Sequence, residues 1–513
     1  MEDNRQIKIG AVLAYGTIAF NILAGLIYTP WMIREIGQSD YGIYGLATSL
    51  IGMFTMDFGL GNAAIRFISK YRAENDEKKI NQFMGLTLKL YLIIDAIIFA
   101  VLLICFIFMS DIYQGLDNNE IIRLRVVFAI AGLFSTISFP FQTLNGLITS
   151  YEKFIFQKVM EFVNKAGTIF IMVILLMNDQ GLYALVLVNA FVGVVVIIIK
   201  LWYLKRNISI HIDWKYWDKK LLKEIFGYST WTAVIAIAQS LIYNIMPTIL
   251  GITSNTVEIS KFTAASTIEG YVYTFSYVIS GMFMPQMARM IQKNKNDKEA
   301  NAKEITELMI RIGRIQMIIV GAIVAIFVVL GKEFINLWLG KKFGGTYEII
   351  LLMIIPTAVI AIQGIAETYV SVTGEVKFNA RGTIVAAIVA VISAFILSPA
   401  YGAIGAGIAV CIGNTAGRVL VMNIFYIKKF GLHIGQFCKE CILKLSVPII
   451  GTIVLTHIVN YFLKGNSWIL FFIKGMISVV IYCILIWFGA LNAQEKELII
   501  QPLNTLLRKM KRK

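Results

Sequence analysis

The chain reads as an all-α integral membrane protein of about fourteen transmembrane helices: two six-helix lobes followed by two C-terminal helices. Three observations predict this. Of the 513 residues, 58% are hydrophobic and only 15% charged, and the mean hydropathy is +0.73, a balance that soluble domains do not show. Apolar runs of about 20 residues, long enough to cross a bilayer as helix, recur along the whole chain. Lys and Arg fall in alternate connections, roughly 36 on one side and roughly 8 on the other, as the positive-inside rule requires. The net charge of +16 therefore reports topology, and nucleic acid is not an expected partner.

The first run, 10–33, follows MEDNRQIKIG. It is too long for a signal peptide and no A-x-A-like cleavage site follows, so an uncleaved first span is expected. The next five runs are 41–67, 83–109, 125–149, 162–177 and 182–204. The long connection KRNISIHIDWKYWDKKLLKEIF follows, with Trp214, Tyr216, Trp217 and five lysines. It reads as an interfacial anchor, or alternatively as a gate or lipid-head contact. Spans seven to twelve lie near 229–251, 262–287, 309–330, 347–370, 380–398 and 402–427, and the last two near 445–463 and 468–490. The basic connections follow the even-numbered spans, so these and both termini, including the tail LLRKMKRK, are expected in the cytoplasm. The opposite loops are short and leave no room for an external catalytic domain.

This order predicts an N-terminal lobe at 1–204, a cytoplasmic interfacial linker at 205–226, a C-terminal lobe at 227–427, and helices thirteen and fourteen with a basic tail at 428–513. With Pro30 placed over Pro247, IYTPWMIREIGQSDYGIYGLATS and YNIMPTILGITSNTVEISKFTAAST share a Pro near the end of an odd span, a polar turn, an aromatic, and then Ala with Ser or Thr. A duplicated six-span unit leaves such a trace, with the substrate path at the repeat interface.

The second span carries the most distinctive pattern. Tyr41, Gly45, Thr48, Gly52, Thr55, Gly59, Asn62 and Arg66 fall on one face of a helix. Such a stripe packs against other helices or walls a cavity with a cation for an anionic substrate. The eighth span has a similar stripe: Thr263, Thr267, Gly270, Thr274, Tyr277 and Gly281.

Ionisable residues within spans are costly and hence informative. Arg66, Lys89 and Arg418 share the expected cytoplasmic half, either snorkelling to headgroups or lining a positive cavity. Arg311, Arg314 and Arg381 read as topology charges at inner ends. Asp57, Asp95, Glu269 and Glu367 are the acids at depth; each is a structural pair or an ion-coupling site for a proton or sodium. Glu269, Tyr273, Ser276 and Ser280 share one face, and Pro356, Gln363 and Glu367 another.

Enzyme signatures are missing from the sequence: no GxxxxGK[ST], no HExxH and no GxSxG. The five cysteines, at 105, 411, 438, 441 and 483, form no disulfide framework. Cys438 and Cys441 lack the second ligand pair a zinc site usually needs. No cofactor or metal is expected.

The stretches PWMIREIGQSDYGIYGL and FGLGNAAIRFISKY resemble the first two spans of Wzx-type polysaccharide and O-antigen flippases of the multidrug/oligosaccharidyl-lipid/polysaccharide (MOP) exporter superfamily. The matching positions are Arg34, Gly37, Tyr41 and Gly42 at the turn, and Gly59, Gly61 and Arg66 in the second span. The resemblance implies flipping of undecaprenyl-pyrophosphate-linked oligosaccharide from the inner to the outer leaflet of a bacterial cytoplasmic membrane. It also implies alternating access through a cationic cavity. The lipid II flippase branch carries an arginine–acid pair within its first span; here Arg34 and Glu35 stand only at its outer end. The substrate-binding residues expected are Arg66, Lys89, Arg418, Asn62, Thr55 and Arg34, with charge for the phosphates and hydroxyl or amide groups for the sugars. The expected partners are this lipid-linked substrate and membrane lipids. The competing readings are a cation-coupled multidrug exporter of the same superfamily and a membrane glycan polymerase or ligase.

Overall fold

The structure, a computed structural model, describes residues 2–178, 180–208, 211–294, 297–493, 495–497 and 500. The side chains of residues 2–12, 14, 15, 228 and 275–278 lie outside the description. The side chains of Ser276 and Tyr277 in the two expected stripes, and the basic tail, thus fall outside the described residues.

The described residues contain helices and no strand. Ten helices are long and apolar enough to cross a membrane, or eleven with one bent pair counted, so the chain is a multi-pass membrane protein. The longest of the ten, Lys377–Lys428, contains two of the expected spans. Its backbone reverses at Gly402 (φ 54°, ψ −134°), a conformation open to glycine. Glu258 Oε2 accepts a hydrogen bond from Ala403 N at 2.9 Å in that turn. The two arms then run antiparallel at close range. A Cβ added to Gly413 would meet Ala386 O at 2.6 Å and Ala390 Cβ at 2.7 Å, the small-residue packing by which membrane helices approach. The eighth span is helical over Thr256–Gly281. The tenth is two helices, Thr346–Ile362 and Gly364–Val372, bent by 52° at Gln363.

The second span departs from the straight helix its stripe predicts. It is two helices, Gln38–Phe54 and Leu60–Ala73. Phe58 (φ 49°) and Gly59 (φ 75°) turn the chain between them. Lipid-exposed irregular backbone is not viable in hydrocarbon unless other groups satisfy it, and here they do. Gln142 donates to Thr55 O at 3.1 Å, and Ser229 Oγ donates to Gly59 O at 3.2 Å. Asp57 Oδ2 accepts from Gly61 N at 2.9 Å and Oδ1 accepts from Tyr91 OH. The carboxylate thus caps the second half-helix, where the positive end of the dipole favours it.

Contacts group the described chain into two compact units: residues up to Thr267 with Asn379–Gly417, and Ile268–Phe378 with the chain from Arg418 onward. The grouping follows packing and divides the eighth and twelfth spans. The six-plus-six reading concerns the order of spans and remains a proposal.

In the first unit, Gly42 lies against the Thr256 backbone and Gly45 against the Thr263 side chain. The first half of the expected stripe is thus a packing seam. Glu120, which forms a capping box with Asp117, accepts from Ser39 Oγ at 2.9 Å and Thr256 Oγ1 at 2.5 Å. Asp40 and Arg123 pair beside them.

Candidate functional site

In the first unit, the half-helix Leu60–Ala73 presents Asn62, Arg66 and Lys70 on an exposed face at i, i+4 and i+8. The Arg66 guanidinium lies 6.0 Å from the centre of the Phe67 ring. Thr55 is not part of that face: its hydroxyl donates to Ile51 O at 3.1 Å, at the end of the preceding helix. Arg34 is exposed in the last turn of the first helix. Asp95 is half-buried, with an Oδ1 that has no hydrogen-bond partner among the described residues.

Lys89 has structural partners. Its ammonium donates to Tyr216 O at 3.0 Å and stands 5.9 Å from the Trp217 ring centre. Asn81, Gly85 and Lys89 form one face of the third span, and the linker is strapped along it. His211 N donates to Asn81 Oδ1 at 3.0 Å and Asp213 N to Asn81 O at 3.2 Å. Gly85 leaves room for Asp213 O. The linker acids serve its own turns: Asp213 Oδ1 accepts from Lys215 N and Tyr216 N. The Lys220 backbone N–H holds Asp218 below the usual carboxylate range.

The second unit holds a polar network inside apolar helices. Arg418, 7% exposed, sits in a π-helical turn, Thr415–Val421, a deformation often found at functional sites. Its Nη2 is 3.8 Å from Glu367 Oε2 and its guanidinium 5.6 Å from the Tyr273 ring centre. Gln363, at the bend of the tenth span, donates to Asn423 Oδ1 at 3.0 Å. Glu269, 5% exposed, accepts from Thr357 Oγ1 at 2.6 Å, and Gln316 donates to Ser280 Oγ at 3.0 Å. The expected faces Glu269–Tyr273–Ser280 and Gln363–Glu367 thus both turn inward. A guanidinium paired with a carboxylate, two amides and a phenol, on the eighth, tenth and twelfth spans, offer hydrogen bonds to a polar ligand.

The sequence reading did not single out three contributors to this unit's interior. Gln316 and Asn423 are uncharged and look ordinary in a helix. Lys474 stands within the run WILFFIKGMISVV, where the rule for intramembrane charges flags it. It is buried and donates to Glu333 Oε2 at 2.8 Å. Arg314 is likewise no plain topology charge. Its Nε and Nη2 hold Glu495 at 2.6 and 2.9 Å, and it donates to Glu440 O and Ala490 O at 2.7 and 2.6 Å. Among the described residues no group of three or more His, Cys, Asp or Glu is placed to hold a metal.

Solved structures share this multi-pass fold of helices. The lipid II flippase MurJ in an inward closed conformation superposes with a TM-score of 0.69 at 13% identity, over 96% of this chain and 99% of its own. An inward-facing multidrug MATE transporter of the MOP superfamily gives 0.63 at 13%, over 84% and 99%. A MOP-superfamily transporter from Pyrococcus furiosus gives 0.57 at 14%, over 83% and 96%. Residues 10–291 match the family described as polysaccharide biosynthesis protein. That is more than half of the chain, which belongs to this family. No match was found among curated protein sequences.

Proposed function

We propose that the protein is a flippase. It moves a polyprenyl-pyrophosphate-linked oligosaccharide from the inner to the outer leaflet of a bacterial cytoplasmic membrane, for cell-surface polysaccharide synthesis. The observation that carries this reading is Arg418, a buried guanidinium at a π-turn beside Glu367 and the Tyr273 ring, with the bonded amides of Gln363 and Asn423 on the tenth and twelfth spans. Guanidinium geometry matches phosphate oxygens, and amides and phenols match sugar hydroxyls. Membership of a polysaccharide biosynthesis family and the fold of a lipid II flippase support the same substrate class. Within the first unit, Arg66 and Asn62, on the exposed face of the broken second span, are candidate phosphate and sugar contacts of their own. The prenyl tail stays in lipid. In alternating access, the seam of Gly42 and Gly45 against Thr256 and Thr263 is the junction that opens and closes. Asp57, Asp95, Glu269 and Glu367 are the candidate coupling groups for a proton or sodium ion.

The test is a deletion strain complemented with variants, assayed for build-up of lipid-linked glycan on the cytoplasmic side. Removing a charge-assisted contact worth about 1.5–3 kcal/mol slows export roughly tenfold to a hundredfold in Arg418→Ala, at normal membrane abundance. Arg418→Lys recovers only part, because an ammonium lacks the planar fork. Full export by Arg418→Ala rejects the docking role. A second reading, a cation-coupled drug exporter, rests on the membrane-embedded Asp57 bonded to Tyr91 and on the fold shared with a MATE transporter. It predicts raised drug sensitivity in the deletion strain with no glycan phenotype.

A further inference from the structure

The linker that straps the third span also roofs a groove of about 540 Å³, a volume within the ordinary range of ligand pockets. Its walls are almost wholly apolar: Leu88 and Leu92 from the third span, Leu144 from the fourth, Leu204 from the sixth, and Ile212 and Trp214 from the linker. The charged lining residue is Lys205, in the last turn of the helix Leu182–Asn207. An apolar groove with one cation and an interfacial tryptophan in its lining has the pattern of a lipid seat. We propose that this groove binds one anionic phospholipid, its acyl chain along the leucines and its phosphate on Lys205.

The net charge of the connection favours an anion. The connection 205–226 holds Lys205, Arg206, Lys215, Lys219, Lys220 and Lys223 against Asp213, Asp218 and Glu224. Two of those acids are turned into the linker's own hydrogen bonds. The roof is also held in place, because the bonds of Asn81 and Lys89 fix residues 211–216 to the third span. A bound lipid therefore bridges the third, fourth and sixth spans to the linker. This site stands independently of the transport reading and uses none of its substrate residues; Lys89 serves the roof.

The full-length protein, purified in mild detergent, is titrated with phosphatidylglycerol or phosphatidylcholine of the same chain length and read by native mass spectrometry. A single cation near a charged headgroup is worth about 1 kcal/mol, so phosphatidylglycerol binds about fivefold more tightly. Lys205→Gln abolishes that preference, and Lys205→Arg retains it. Leu144→Trp fills the slot and removes binding of both lipids; if its melting temperature shows that it is misfolded, Leu88→Phe replaces it. A photoreactive phosphatidylglycerol labels peptides containing Leu88 or Leu144. Equal binding of the two lipids, retained binding in the filled-slot variant, or labelling elsewhere overturns the proposal. So does displacement by a short-chain prenyl phosphate at equimolar concentration, which assigns the slot to a prenyl tail.

Discussion

Lys474 provides the sharpest test of how the second unit is held together. It is 2% exposed, and its Nζ lies 2.8 Å from Glu333 Oε2, whose side chain is 13% exposed. Glu333 Oε1 is buried with no hydrogen-bond partner among the described residues, so the carboxylate depends on this one ammonium. Lys474→Met keeps the long unbranched shape and removes the charge, leaving Glu333 unpaired between apolar helices. Breaking a buried pair in this way costs about 3–5 kcal/mol. A lone charge at a helix centre costs about 2.5–3.5 kcal/mol on insertion scales, so the expected loss is about 3 kcal/mol. Removing both charges in Lys474→Met/Glu333→Leu returns stability to within about 1 kcal/mol of the parent, since a packed apolar pair replaces a desolvated ionic one. Glu333→Leu leaves Lys474 unpaired and should cost a similar amount, so the double-mutant cycle gives a coupling of about 5–6 kcal/mol. Thermal melting in detergent, with membrane abundance of a fluorescent fusion, reads all four proteins. Parental melting in Lys474→Met, or additive losses in the double variant, refutes the reasoning.

Arg314→Gln breaks the clamp on Glu495 and two carbonyls and should cost about 3–5 kcal/mol; melting of the purified protein checks it, and an unchanged midpoint counts against the clamp. Gly59→Ala forces a Cβ into a left-handed turn beside Thr232. It should destabilise by about 1–3 kcal/mol, whereas Gly181→Ala, which meets nothing within 4 Å, should be close to neutral. Arg66→Ala should impair glycan export more than Arg66→Lys at equal abundance, because phosphate recognition needs charge; equal export by both leaves a headgroup anchor. Topology reporters fused after Lys293 and Met510 should both report the cytoplasm, and external activity at either point rejects the expected orientation.

By itself, the sequence determined the membrane class and the spans, because twenty apolar residues in a row have few other uses and backbone groups in lipid must pair within a helix. It also marked Arg418, Glu367 and Glu269 as out of place in hydrocarbon, since their cost is a property of the residue and its depth. Partners were not legible. The stripe from Tyr41 to Arg66 is regular in spacing, yet only folding decided that the helix breaks at Phe58 and Gly59, because the break depends on Gln142, Tyr91 and Ser229 arriving from other spans. Lys89 carries the same sequence signal as Arg418. Tertiary structure gives Lys89 to the linker and places Arg418 beside a carboxylate and a phenol. Periodicity fixes the face a residue occupies on its own helix, and long-range packing alone fixes what that face meets.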